Sequence, residues 1–217
     1  MPGMLRMPSH VRIPAFPASR HYYSPVTAPA PAVFMDRDGT LIEEAGYLDN
    51  LDRLAFFPST VDALRLLGRA GFRLVVVTNQ SGIALGLFDE PFVRGTHDAL
   101  HARLDAAGAR IDGWYFCPHH PAGQVAALTM TCGCRKPAPA LARQAAADLG
   151  IDLARSWMIG DRWGDVQMAA NAGMAGGILV RTGYGRSAEA RPVTDVSAAF
   201  VADDVMDAAG WILRQGR

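Results

Sequence analysis

Val33-Phe34-Met35 is a short apolar run cut off by Asp36-Arg37-Asp38-Gly39-Thr40: two carboxylates two residues apart, then a glycine. Residues i and i+2 of an extended segment lean to the same side, so both acids can address one reaction centre. One carboxylate can be a covalent nucleophile toward phosphorus while its neighbour manages the leaving-group proton. Acids this close repel, and a divalent cation is their natural neutraliser. The plain alternative is an Asx-turn, since Asp-Gly commonly closes a strand.

Other polar groups could join them. Thr78-Asn79-Gln80-Ser81-Gly82 follows the apolar run Leu74-Val75-Val76-Val77. The Thr78 hydroxyl, with backbone N–H groups left free by the small Ser81 and Gly82, could cradle phosphate oxygens, although a turn after a core strand is the simpler account of this segment alone. Lys136 is the single lysine, against twenty arginines. Such an exception points to a place where a compact ammonium fits and a planar guanidinium does not; compositional accident is the alternative. In Gly160-Asp161-Arg162-Trp163-Gly164-Asp165, Asp161 could complete a Mg²⁺ shell with Asp36, since Mg²⁺ takes few carboxylates and keeps several waters. Asp165 is expected to cap the next helix or support that shell, and a helix N-cap is the alternative for Asp161.

All three cysteines lie in one short stretch: Cys117-Pro118-His119-His120, then Cys132-Gly133-Cys134. An odd, clustered set is a poor disulfide framework. Three thiolates and one imidazole are what a closed, tetrahedral, structural Zn²⁺ site takes, with Cys117, His119, Cys132 and Cys134 as ligands and His120 a nearby substitute for His119. The metal would pin a polar loop and fix where Arg135 and Lys136 point.

These groups need a scaffold that gathers them. From Ala32 onward, strand-like and helix-like segments alternate, the signature of a parallel sheet with helices on both faces. Strands are expected at Ala32–Asp36, Arg73–Thr78, Trp114–Cys117, Trp157–Gly160, Gly177–Val180 and near Phe200. Helices are expected from the cap Ser59 through Leu67, from Asp89 toward Ala107, over Pro139–Leu149, over Asp165–Ala172 and from Val205 to Leu213. Right-handed crossovers put the polar strand ends on one edge of the sheet, where ligands bind.

Length and composition set bounds. The 217 residues suit one domain over 32–217, with a zinc loop at 117–134. Zero formal net charge argues against a nucleic-acid binder, and no apolar run reaches membrane-spanning length. Residues 1–31 hold many prolines, Arg6, Arg12, Arg20 and no acid, and read as a disordered extension without a signal-peptide core. A monomer in the cytoplasm is the default expectation.

With these residues assembled, the chain resembles the haloacid-dehalogenase (HAD) superfamily phosphatases. Asp36-Arg-Asp-Gly-Thr is similar to their nucleophile motif, Thr78 to their second, Lys136 to their third and Gly160-Asp161…Asp165 to their fourth. More narrowly, Cys117-Pro-His-His-Pro…Cys132-Gly-Cys-Arg-Lys-Pro137 and Thr78-Asn-Gln-Ser-Gly-Ile resemble the D-glycero-D-manno-heptose 1,7-bisphosphate 7-phosphatases, over about Ala32 to Gly183. The resemblance implies a HAD-like, Rossmann-like α/β fold with no large cap domain. It implies that Asp36 attacks the C7 phosphorus and that Asp38 protonates the leaving oxygen and then activates water. Thr78 and Lys136 would stabilise the phosphoryl group, and Mg²⁺ would be held by Asp36, Asp161 and the Asp38 carbonyl. Substrate contacts are implied at Glu44, Ala45, Gly46, Tyr47, Thr78, Asn79, Gln80, Ser81, Arg135, Lys136 and Arg162. Ile42 and Arg162 depart from the residues frequent in relatives, and either could alter sugar preference.

A histidinol-phosphate phosphatase, or another sugar bisphosphate phosphatase, is the nearest competing function; the twelve residues between His119 and Cys132 favour the heptose enzyme over the shorter histidinol-phosphate loop. A non-catalytic zinc-stabilised interaction module is a remoter one, with no use for Asp36, Asp38, Lys136 and Asp161 together.

Overall fold

The computed structural model describes residues 29–44, 46 and 50–215. The proposed extension lies outside the described residues except for its end. There Ala30 and Pro31 are already tied to the fold, Ala30 through hydrogen bonds with Gly150 and Asp152 and Pro31 through its carbonyl to Arg73.

Six strands form one parallel sheet in the order β3-β2-β1-β4-β5-β6. They are β1 (Ala32–Met35), β2 (Arg73–Asn79), β3 (Gly113–Cys117), β4 (Trp157–Gly160), β5 (Gly176–Val180) and β6 (Phe200–Ala202). The helices are α1 (Thr60–Arg69), α2 (Ser81–Ala84), α3 (Glu90–Ala106), α4 (Ala140–Leu149), α5 (Trp163–Ala172), α6 (Gly185–Glu189) and α7 (Val205–Gln215).

Strand side chains alternate between two apolar layers, as a period of two requires. Val33, Met35, Leu74, Val76, Ile159 and Ile178 meet Leu64 and Leu67 of α1, Leu100 and Leu104 of α3 and Ile212 of α7. Ala32, Phe34, Val75, Val77 and Met158 meet Leu141 and Ala145 of α4 and Met168 and Ala169 of α5. With both faces covered, the central strands can be apolar throughout.

The expected elements are present with ends shifted by a few residues. Ser59 precedes α1, but its hydroxyl donates to Asp204 instead of capping the helix. Helix α5 starts two residues earlier than expected, which makes Arg162 its N-cap, not Asp161, and puts Asp165 in its first turn. The short α2 begins at Ser81, where a helix or turn is expected; α6, too brief to show periodicity, has no counterpart among the expected elements. Ile42 is buried in the core and pairs with Phe56, so its side chain has no route to a substrate.

From β1 the chain runs outward to β2 and β3, then returns to place β4 on the other side of β1. Strand order therefore reverses between β1 and β4, and the carboxyl end of that pair is where an open α/β sheet offers a crevice. Asp36 and Asp161 follow these two strands, and Asp36 N–H extends their ladder by donating to Ile159 at 3.0 Å.

Candidate active site

A cavity of about 430 Å³ opens over this edge, its floor formed by Asp36, Asp38, Thr78, Lys136 and Asp165. Lys136 Nζ lies 2.9 Å from Asp36 Oδ1 and 2.6 Å from Asp165 Oδ1, and all three side chains are nearly fully buried. Burial alone would pull the Lys136 ammonium down; Asp165 and Asp36 outweigh it and hold it above its ordinary value. Asn79 clamps this lysine from behind, its amide bridging the Lys136 carbonyl (3.2 Å) and N–H (3.0 Å).

Asp161 is fully buried, and its carboxylate is held asymmetrically. Oδ2 accepts the Tyr184 N–H at 2.8 Å, while Oδ1 has no hydrogen-bond partner. Two glycines with positive φ leave room for it: a Cβ on Gly39 would meet Oδ2 at 2.2 Å, and one on Gly183 at 2.3 Å. Burial first, then the charges of Asp36 and Asp165, push Asp161 up to about 8. Burial likewise raises Asp165 to about 6, against the pull of Lys136.

Carboxylate oxygens of Asp36, Asp161 and Asp165 all lie within 4.8 Å of one another. Three acids facing one ammonium, with a buried oxygen left unpartnered, are a donor set that fits a hard divalent cation such as Mg²⁺. Asp165 is engaged through both oxygens, Oδ1 with Lys136 and Oδ2 with the Arg162 N–H (3.1 Å); Asp36 is engaged through Oδ1, with Lys136 and the Arg37 N–H, and Asp161 Oδ1 is the oxygen left without a partner.

Asp38 faces the cavity beside Asp36, but its carboxylate stands outside that cluster, bonded to the Arg37 guanidinium and to Gln80 Nε2. Gln80 also donates to the Thr78 hydroxyl at 2.9 Å. Arg135 reaches Ser81 Oγ (2.7 Å) and the His119 carbonyl (3.2 Å). Thus Asn79, Gln80 and Ser81 line the cavity as expected, yet their side chains are spent on holding Lys136, Asp38 and Arg135. Gly82 makes room for the Phe88 ring, which a Cβ would strike at 2.2 Å. Glu44 and Gly46 also line the cavity, where burial and then Asp38 raise the Glu44 carboxyl; Ala45 and Tyr47 lie outside the described residues. Arg162 stacks over the Tyr184 ring at 3.9 Å on the cavity rim.

The second cluster forms beside this wall. The sulfurs of Cys117, Cys132 and Cys134 lie 3.1–3.5 Å apart with no disulfide among them. His119 Nδ1 stands 3.3 Å from Cys134 Sγ and 3.7 Å from Cys117 Sγ. In a tetrahedral zinc–thiolate centre the sulfurs stand about 3.8 Å apart, so this donor set needs only a small expansion to hold the ion. The shared Cys134 S–H draws the Cys117 thiol down and holds the Cys134 thiol up, so the two sulfurs compete for one proton. The choice between histidines is resolved by geometry, since His120 Nδ1 accepts the Ala122 N–H instead. The loop also docks on α2, where Gln124 and Val125 donate to the Ala84 carbonyl.

The chain is 43% identical over 178 residues to the D-glycero-beta-D-manno-heptose-1,7-bisphosphate 7-phosphatase of Yersinia pestis, covering 82% of this chain and 95% of that protein. It is 42% identical over 183 residues to the protein of the same name from Escherichia coli K12, covering 84% and 88%. The chain belongs to this phosphatase family. A family model described as HAD-hyrolase-like matches residues 133–208. Among solved structures, the D,D-heptose 1.7-bisphosphate phosphatase from B. bronchiseptica, complexed with magnesium and phosphate, superposes with a TM-score of 0.74 at 33% identity, covering 85% of this chain and 99% of that one. The protein is therefore a HAD-like phosphatase. Between β3 and α4 this chain carries only the Cys/His loop, with one 3₁₀ turn at Ala126–Leu128.

Sequence reasoning missed Arg37 and His97. Both are buried, and Arg37 joins Asp38, Gln80 and His97 in one network. A signal existed for Arg37, a cation between two acids at a strand end; His97, on a mixed helical face, offered none.

Proposed function

We propose that this phosphatase removes the C7 phosphate of D-glycero-β-D-manno-heptose 1,7-bisphosphate through an aspartyl-phosphate on Asp36, with residues 32–217 acting as one catalytic unit. The observation that supports this most is the convergence of Asp36, Lys136 and Asp161 beneath one cavity at the sheet's switch point. The relatives' names supply the sugar.

In the first step an Asp36 carboxylate oxygen attacks phosphorus and the bond from phosphorus to the C7 oxygen breaks. That oxygen keeps the electron pair and takes a proton from Asp38. In the second step the Asp38 carboxylate accepts a proton from water, whose oxygen attacks phosphorus; the bond to Asp36 breaks and frees the carboxylate. Lys136, 2.9 Å from Asp36, and the Thr78 hydroxyl offset charge on the phosphoryl oxygens. Mg²⁺, held by Asp36, Asp161 and the Asp38 carbonyl, would supply Lewis-acid neutralisation of the phosphate. Cys117, His119, Cys132 and Cys134 would hold Zn²⁺ with four protein ligands and no open position, so its part would be to fix the loop that carries Arg135 and Lys136. Arg135 suits bidentate capture of the distal C1 phosphate, and Arg162 also lines the cavity.

A phosphate-release screen over the two heptose bisphosphate anomers, histidinol phosphate and hexose bisphosphates tests the substrate. The β-heptose bisphosphate should have the highest kcat/KM; a histidinol-phosphate preference would overturn the assignment. A sugar phosphate is the only partner this reading needs. Among the described residues no helix is long and apolar enough to cross a membrane; a cytoplasmic, monomeric enzyme is part of the proposal.

A further inference from the structure

Arg37 sits between the two acids of the first motif, and both its backbone and its side chain are engaged with them. Its N–H donates to Asp36 Oδ1 at 2.7 Å, and its carbonyl accepts from Leu41 and Ile42, which winds the loop tightly. Its guanidinium is 3% exposed. Nε and Nη2 grip Asp38 at 3.0–3.3 Å, Nη2 also reaches Gln80 Oε1 at 3.0 Å, and Nη1 points the other way, 3.2 Å from His97 Nε2. Gln80 closes the circuit by donating to Asp38 Oδ2 at 3.0 Å.

The far end of this network is rigid. His97 is fully buried on α3, stacked on Trp114 at 4.8 Å and edge-on to Phe116 at 5.8 Å. Burial, reinforced by Arg37 and Arg94, holds the imidazole well below its ordinary range, so the neutral ring offers Nε2 as an acceptor. A guanidinium taken out of water is costly unless every arm is satisfied. Here all three nitrogens are, and the arrangement leaves Asp38 little rotamer freedom.

We infer that Arg37, braced by His97 and seconded by Gln80, is a positioning residue that holds the Asp38 carboxylate at the reacting phosphoryl ester. This rests on the proposed role of Asp38. A rigid acid beside the leaving oxygen matters most when that oxygen must be protonated as it departs, and least when it leaves as a stable anion. The network should therefore reveal itself through the leaving group.

The test compares kcat/KM for heptose bisphosphate, an alkyl ester, and p-nitrophenyl phosphate, whose nitrophenolate leaves without a proton. Arg37→Met should lower the first about 100-fold and the second at least ten times less. Gln80→Met should show the same selectivity more weakly, and it decides the matter if Arg37→Met does not fold. In the Asp38→Asn background, Arg37→Met should add less than about threefold, because the group it positions is already gone. Equal losses on both esters, or independent losses in the double variant, would overturn the inference and leave Arg37 a structural ion pair. An Asp36→Asn variant that still turns over either ester would instead refute the proposed nucleophile, whatever the Arg37 variants do.

Discussion

The acid cluster and the cysteine cluster are neighbours built on opposite principles. The cysteine cluster draws every ligand from residues 117–134, and its four donor atoms face one another. The acid cluster collects Asp36 from the end of β1, Lys136 from the loop before α4, and Asp161 and Asp165 from the β4–α5 junction. It faces an open cavity and keeps a carboxylate oxygen unpartnered. A set of donors that close on one another suits holding; donors with capacity left over suit reacting. Lys136 follows Cys134 by two residues, so the two clusters share one short stretch of chain.

Breaking the reacting cluster should have the largest effect. Asp36→Asn removes the nucleophile and should lower Mg²⁺-dependent phosphate release by about 10³-fold or more, with the melting temperature held. Melting curves alongside phosphate assays check both halves of that statement. Breaking the holding cluster should act on stability first. The purified protein should carry one zinc by metal analysis; Cys134→Ser should lose it, melt several degrees lower and lose activity because Lys136 is misplaced. Full activity in a zinc-free Cys134→Ser protein would separate the two clusters. Lys136→Arg probes the link more finely: a wider, planar cation between Asp36 and Asp165 should cost about 10–100-fold in kcat with folding intact.

The smallest effect concerns the buried network behind Asp38. His97 is held well below its ordinary 6.5, so the unfolded chain binds a proton that the folded one refuses. Stability should therefore fall as pH drops below about 6.5, by at most about 1.4 kcal/mol per pH unit. His97→Phe, which keeps a ring against Trp114, should flatten that slope; urea titrations at pH 7 and pH 5 measure it.

Local signals carried far in this chain. The β2 run, Asp89 capping α3 through the Phe92 N–H, and Gly150 in left-handed conformation ending α4 are all readable because one residue or one short period decides each. The cysteine spacing likewise shows a loop-sized donor set. What stayed hidden depends on partners far apart in sequence. Ser59 has cap chemistry, yet Asp204, 145 residues on, claims its hydroxyl. Asn79, Gln80 and Ser81 read as ligand-facing polar residues, and only the packed structure shows them spent on Lys136, Asp38 and Arg135.

By itself the sequence determined the alternation of strands and helices, the acids at strand ends, the zinc-type donor set and the lone lysine, because these follow from residue type and short-range spacing. Only the tertiary structure decided which histidine joins the cysteines and that Ile42 is core. It also decided that Asp165 pairs with Lys136, and that Gly183 and Tyr184, from the loop after β5, shape the seat of Asp161. Those outcomes depend on which groups meet when distant segments close on one another, and on which of them lose water in doing so.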